Sequence, residues 1–97
     1  MKTRFTWDPE KALRNLKKHG VSFEIAKEVF ADPYHIETAN LFQRREQRFQ
    51  VIGLTRSLVL LLVVFVDRSN AEVEVIHIIS ARKGESVEEA IYEEQIS

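Results

Sequence analysis

The sequence has no cysteine, so it can build neither a disulfide framework nor a thiolate metal site, and it offers no thiol nucleophile. A reducing compartment fits that absence, and a cytoplasmic protein is expected. Only three glycines and two prolines occur in 97 residues. This scarcity leaves no collagenous or low-complexity stretch, and Gly20, Gly53 and Gly84 are too dispersed for a loop that cradles phosphate. No serine stands in a nucleophile-elbow context, which sets aside serine hydrolysis together with nucleotide binding. Long apolar runs are lacking as well. The longest, Leu58 to Val66, is nine residues, against roughly twenty needed to cross a bilayer, and the amino terminus carries no signal-peptide core, so no membrane partner is expected. His19, His35 and His77 are too widely spaced for a ligand motif, and neither a metal nor any other cofactor is expected.

What is present describes one soluble domain over residues 1–97, with 44% hydrophobic and 30% charged residues. The net charge of −1 hides an asymmetry. Residues 1–57 hold eleven Lys or Arg against seven Asp or Glu, whereas residues 58–97 hold three against eight. A basic front suits a polyanion, and an acidic tail suits a basic partner.

Local signals order the elements. Phe5 and Trp7 alternate with Thr6 as in a strand. Asp8-Pro9 reads as an N-cap with proline at the first helical position, Ala12, Leu13 and Leu16 supply an apolar stripe, and Gly20 supplies a left-handed end. Ser22 caps a second helix, in which Phe23, Ala26, Val29 and Phe30 keep the helical period until Asp32-Pro33. Strands are then predicted over 35–41, over 48–55 with Phe49, Val51 and Gly53 on one side, over 58–66, and from Glu72 to Ala81. Ser86 and Glu89 suggest a capping box for a last helix facing inward through Val87, Ala90 and Ile91. The predicted fold is α+β, an antiparallel β-sheet of four to five strands with two N-terminal helices packed on it and a short C-terminal helix. The first strand, separated from the rest, joins through a crossover.

Cations and imidazoles at element ends are the candidate chemistry. Lys17, Lys18 and His19 close the first helix, Arg44, Arg45 and Arg48 surround Glu46 at the start of a strand, and Arg82 and Lys83 leave the last strand. His77 interrupts an apolar strand. Counting by twos puts Ile76, Ile78, Ser80 and Arg82 on one face and His77, Ile79 and Ala81 on the other, unless a bulge intervenes.

Phe5-x-Trp7-Asp8, Lys11, Asn15, Lys18-His19-Gly20-Val21-Ser22-Phe23, Ala26, Phe30-x-Asp32-Pro33, Glu46-x-Arg48-Phe49, Ile52-Gly53-Leu54 and Ile78-Ile79-Ser80-Ala81-Arg82-Lys83 together resemble the BrnT family of bacterial toxins. The resemblance implies a RelE-like fold and a metal-independent endoribonuclease that arrests translation. It also implies a BrnA-type DNA-binding antitoxin as partner, with homo-oligomers or a heterotetramer as possible assemblies. Where the family often has arginine this chain has His77, and its last helix carries Glu85, Glu88, Glu89, Glu93 and Glu94 where members are often arginine-rich. In such a mechanism Arg48 and Arg82 would clamp the scissile phosphate while Lys18 adds a point charge. His19 or Glu46 would be the base, with the other imidazole or Lys18 as the acid, and Arg45, His77 and Lys83 would bind substrate. A second reading is a catalytically weak module that serves with its antitoxin as a transcriptional co-repressor.

Overall fold

Asp8 opens the first helix as its residue type dictates: its carboxylate accepts from the N–H groups of Glu10 at 2.8 Å and Lys11 at 3.4 Å, and Pro9 follows. In a computed structural model that describes residues 2–40 and 47–97, the order is β1 (Lys2–Thr6), α1 (Pro9–His19), α2 (Phe23–Ala26), a 3-10 helix (Lys27–Ala31), β2 (Ile36–Asn40), β3 (Arg48–Leu54), β4 (Leu60–Asp67), β5 (Val73–Lys83) and α3 (Ser86–Ile96). Gly20 ends α1 at φ 71°, a left-handed conformation that costs glycine nothing. Ser22 caps α2 through the N–H of Ile25.

The second helix is shorter than its pattern suggests, because after Ala26 it tightens to 3-10 winding. That turn presses Val29 against β3 at Gly53, where an added Cβ would lie 3.1 Å from both Cβ and the carbonyl oxygen of Val29. Close approach favours glycine there, because any side chain would make Val29 give way by a few tenths of an ångström.

The sheet order is β1-β5-β4-β3-β2. Strands β2 to β5 form an antiparallel meander, whereas β1 lies parallel to β5. The sheet is therefore mixed rather than wholly antiparallel, because the helices and the meander carry the chain across and leave the far edge of β5 for β1.

One face packs beneath the helices in a core of Val21, Phe23, Ala26, Val29, Val51, Leu61, Val63, Phe65, Ile76, Ile78 and Ala81. Phe30 sits between Phe5 and Phe65, with ring centroids at 5.4 and 5.1 Å, and Phe49 stacks on Phe65 at 5.5 Å. On the other face Ile52, Leu62 and Tyr92 form a smaller cluster under α3.

Two helices turn differently from their apolar pattern. In α1 the buried residue is Asn15, while Leu13 and Leu16 are 69% and 46% exposed. The Asn15 amide donates to the carbonyls of Val21 and Ala81 at 3.0 and 2.8 Å and accepts from the Ala81 N–H at 3.1 Å. It thus supplies the hydrogen bonds of a strand that β5 lacks beyond His77. In α3 the capping box is Glu85 with Glu88, one residue earlier than Ser86 and Glu89, and the buried residues are Glu88 and Tyr92. Val87 and Ile91 are left exposed. Polar contacts set this orientation: Glu88 accepts from Arg82 at 2.8 Å, and the Tyr92 hydroxyl donates to Asp32 at 2.6 Å.

Candidate functional site

The pairing of β4 with β5 matches Phe65 to Ile78 and then Val64 to Ser80, so Ile79 is an extra residue and the strand bulges. The alternation counted over 76–82, which allowed for a bulge, is interrupted at that point. Ile76, Ile78 and Ala81 all enter the helix-side core, while His77, Ser80 and Arg82 fall together on the opposite face. The bulge unites the two candidates that simple counting separates.

On that face the register aligns Thr6 with His77, His77 with Val66, and Val66 with Arg48. At a strand spacing of about 4.8 Å, the Cα atoms of Arg48 and His77 lie roughly 10 Å apart, within reach of one phosphate held between the two side chains. The next row holds Gln50, Val64 and Ser80. His77 Nδ1 hydrogen-bonds the Thr6 hydroxyl at 2.8 Å, which orients the ring from the neighbouring strand. Arg48 is half-buried, and its Nε is a buried donor without a hydrogen-bond partner among the described residues. Alternation in β1 places Lys2 and Arg4 on the same face as Thr6, and both are exposed.

The remaining candidates are distributed differently. Arg82 shares the face, but it pairs with the row of Ile52 and Leu62, about four residues or roughly 13 Å further along. Its Nη1 donates to Glu88 at 2.8 Å and to the Lys83 carbonyl at 3.0 Å, with Glu85 at 3.7 Å. The hydrogen bond from Arg82 holds Glu88 below its ordinary carboxyl range, and the same bond raises the guanidinium. The clamp expected of Arg48 with Arg82 is therefore not assembled, because α3 occupies the second cation.

Lys83 pairs with core-facing Leu61 and lines a hollow with Leu16 and Gly20, on the helix side. Lys18 and His19 end α1 on that side too, and among the described residues no hydrogen bond or ion pair joins them to Arg48, His77 or Arg82. These three do not converge with the Arg48–His77 row. Arg45 and Glu46 lie outside the described residues. Phe49 and Tyr92 are packing residues. No group of three His, Asp or Glu side chains suited to a metal occurs among the described residues, and none of their helices is long and apolar enough to cross a membrane.

Residues 7–88 match the family described as ribonuclease toxin, BrnT, of type II toxin-antitoxin system. The chain belongs to the BrnT family. The crystal structure of the ribonuclease toxin BrnT from Brucella abortus, at 1.1 Å resolution, superposes with a TM-score of 0.60 at 23% identity, covering 89% of this chain and all of that one. The BrnT fold is thus shared. Among curated proteins no match is found. Sequence reasoning singled out Arg48 and His77 but passed over Lys2, Arg4 and Thr6. Their alternating polarity in the first strand was the available signal, and its meaning depended on which strand β1 would join.

Proposed function

We propose that this BrnT-family chain is an endoribonuclease that cleaves RNA without a metal ion on the half of its sheet that lies beyond α3, inhibits translation, and is neutralised by a BrnA-type antitoxin. The observation that carries the reading is the row Thr6, His77, Arg48, set beside exposed Lys2 and Arg4 in a family of ribonuclease toxins. Cleavage of this kind needs a base to take the 2′-hydroxyl proton as its oxygen attacks the adjacent phosphorus. Cations must hold the developing dianion, and an acid must protonate the departing 5′-oxygen.

Arg48 offers a planar fork of donors for the phosphate oxygens. His77, oriented by Thr6, serves as the acid and as a phosphate ligand when protonated. Glu46, two residues before Arg48 in the chain, is the base, and Arg45 extends the cationic approach. Lys2 and Arg4 hold the strand beyond the cut by contacts to its phosphates. Removing Arg48 by Arg48→Ala is expected to slow cleavage by about 10²- to 10³-fold in a folded protein, with cleavage by the unaltered chain persisting in EDTA. Undiminished cleavage by that variant removes Arg48 from the site.

The tie between Arg82 and Glu88 supports the second reading, a weak catalyst acting with its antitoxin as co-repressor. Induced expression separates the two. Growth arrest relieved by the product of the adjacent reading frame supports the nuclease, and harmless accumulation supports the co-repressor.

A further inference from the structure

Type II pairing calls for a surface on which the antitoxin docks, and the inference here rests on that reading. The outward side of α1 and α2 leaves apolar groups uncovered: Leu13, Leu16 and Ile25 are 69%, 46% and 45% exposed. Next to them the turn between β3 and β4 presents Leu58, 75% exposed, and Val59, 38% exposed. Two adjoining hollows open here. One of about 340 Å³ lies between Trp7, Leu13 and Phe23, the other of about 230 Å³ lies between Gly20, Ile25 and Val59, and Leu16 borders both. A contiguous exposed apolar patch of this kind marks an interaction surface rather than ordinary solvent-facing surface.

A second observation points the same way. Leu58 holds φ at 66°, in the left-handed region that a branched side chain disfavours, and projects into solvent at the tip of its turn. Both the backbone and the exposure are unfavourable in the isolated chain.

Chemistry selects the occupant. Cations outnumber carboxylates beside the patch: α1 carries Lys11, Arg14, Lys17 and Lys18 against Glu10, Lys83 lines the second hollow, and Glu24, which lines the first, is paired with Lys27 at 3.1 Å. Among the described residues, the β5 backbone next to α1 is already met at Ala81 by the Asn15 amide. A partner docking here must satisfy its own backbone hydrogen bonds, as a helix does. Two hollows that share Leu16 and Ser22 as their border suit apolar residues three or four apart on such a helix. We infer that the surface formed by α1, α2 and the β3–β4 turn receives an amphipathic helix of the antitoxin, with apolar side chains in the two hollows and acidic flanks on the lysine rim.

The test uses the full chain and the full-length product of the adjacent reading frame, with affinity and RNA cleavage measured in parallel. The double variant Leu13→Glu with Leu16→Glu alters exposed positions only, and its thermal unfolding checks the fold. It is expected to weaken binding by about 100-fold and leave RNA cleavage unchanged. Lys17→Glu alone should weaken binding about tenfold and reduce its salt dependence. The control Val87→Glu with Ile91→Glu, on the apolar surface of α3, should bind as the unaltered chain does. The inference is overturned if the α1 variants bind normally, if only the α3 control loses binding, or if the α1 variants merely convert a self-associated chain to monomer. An unaltered chain that cleaves RNA yet binds no such product overturns this surface assignment and leaves the nuclease reading standing. One that binds the product without cleaving RNA overturns the nuclease reading and leaves the surface to be judged by the variants.

Discussion

Asn15 illustrates how one buried amide can matter more than the leucines beside it. It satisfies two carbonyls and one N–H of the backbone, and through them ties α1 to β5 across 66 residues of sequence. Asn15→Ala leaves those groups buried and unpaired, so urea denaturation is expected to show a loss of about 3 kcal/mol. Leu13→Ala, at a side chain that is largely exposed, should change stability by no more than about 0.5 kcal/mol. Reading the chain by apolar period gave the opposite ranking. Periodicity ranks hydrophobic residues for burial and is silent on a polar side chain whose partner is a distant strand. The motif match did include Asn15, but a match carries no physical role for a residue. Arg48 was legible as chemistry from its place among cations at the start of a strand, and His77 from its place inside an apolar one. That they share one row was not, since it depends on the register of β4 between them.

At the scale of elements, termini were legible, as were the inward faces of β3 and of the second helical segment, whereas the faces of α1, α3 and β5 were not. Asp8-Pro9, Gly20, Ser22 and Asp32-Pro33 act through bonds to their own neighbours, and each marks a boundary close to where the sequence places it. The facing of β5 depends on the bulge at Ile79, which no local signal announces. This makes a direct prediction. Deleting Ile79 restores strict alternation and leaves His77, Ser80 and Arg82 on one face with Ile78 and Ala81 on the other. The deletion should therefore retain cooperative thermal unfolding, with a spectrum like that of the parent. Deleting Val64 from β4, where nothing absorbs the change, turns half a strand inside out and should abolish cooperative unfolding. The orientation of α3 likewise follows its two polar anchors rather than its apolar residues. Tyr92→Phe removes the bond to Asp32 and is expected to lower stability by about 1 to 2 kcal/mol in denaturant titrations.

For the whole molecule, those anchors set the response to pH. Burial alone would raise the Asp32 carboxyl, but hydrogen bonds from the Tyr92 hydroxyl and from the N–H groups of Leu54 and Tyr34 outweigh it and bring it below its ordinary value. Glu88 is lowered chiefly by Arg82. Because both are depressed in the folded state, their contribution is complete above the unfolded carboxyl values and is lost as pH falls through the folded ones. Tyr92 moves the other way, raised by burial and by Asp32 to about 12 from 10.0. Between those values only the unfolded chain ionises, so stability also falls as the solution becomes strongly alkaline. Thermal midpoints should therefore be level near neutrality and drop at both extremes, with Glu88→Gln softening the acid limb and Tyr92→Phe the alkaline one. The parallel pairing of β1 with β5 has a consequence for synthesis. Lys2 finds its partner only at Val73, and Thr6 only at His77. While the ribosome is still translating the middle of the message, the amino-terminal strand has nothing to zip against, so a nascent fragment cannot display the Arg48–His77 row, and the proposed site is completed only after β5 has emerged.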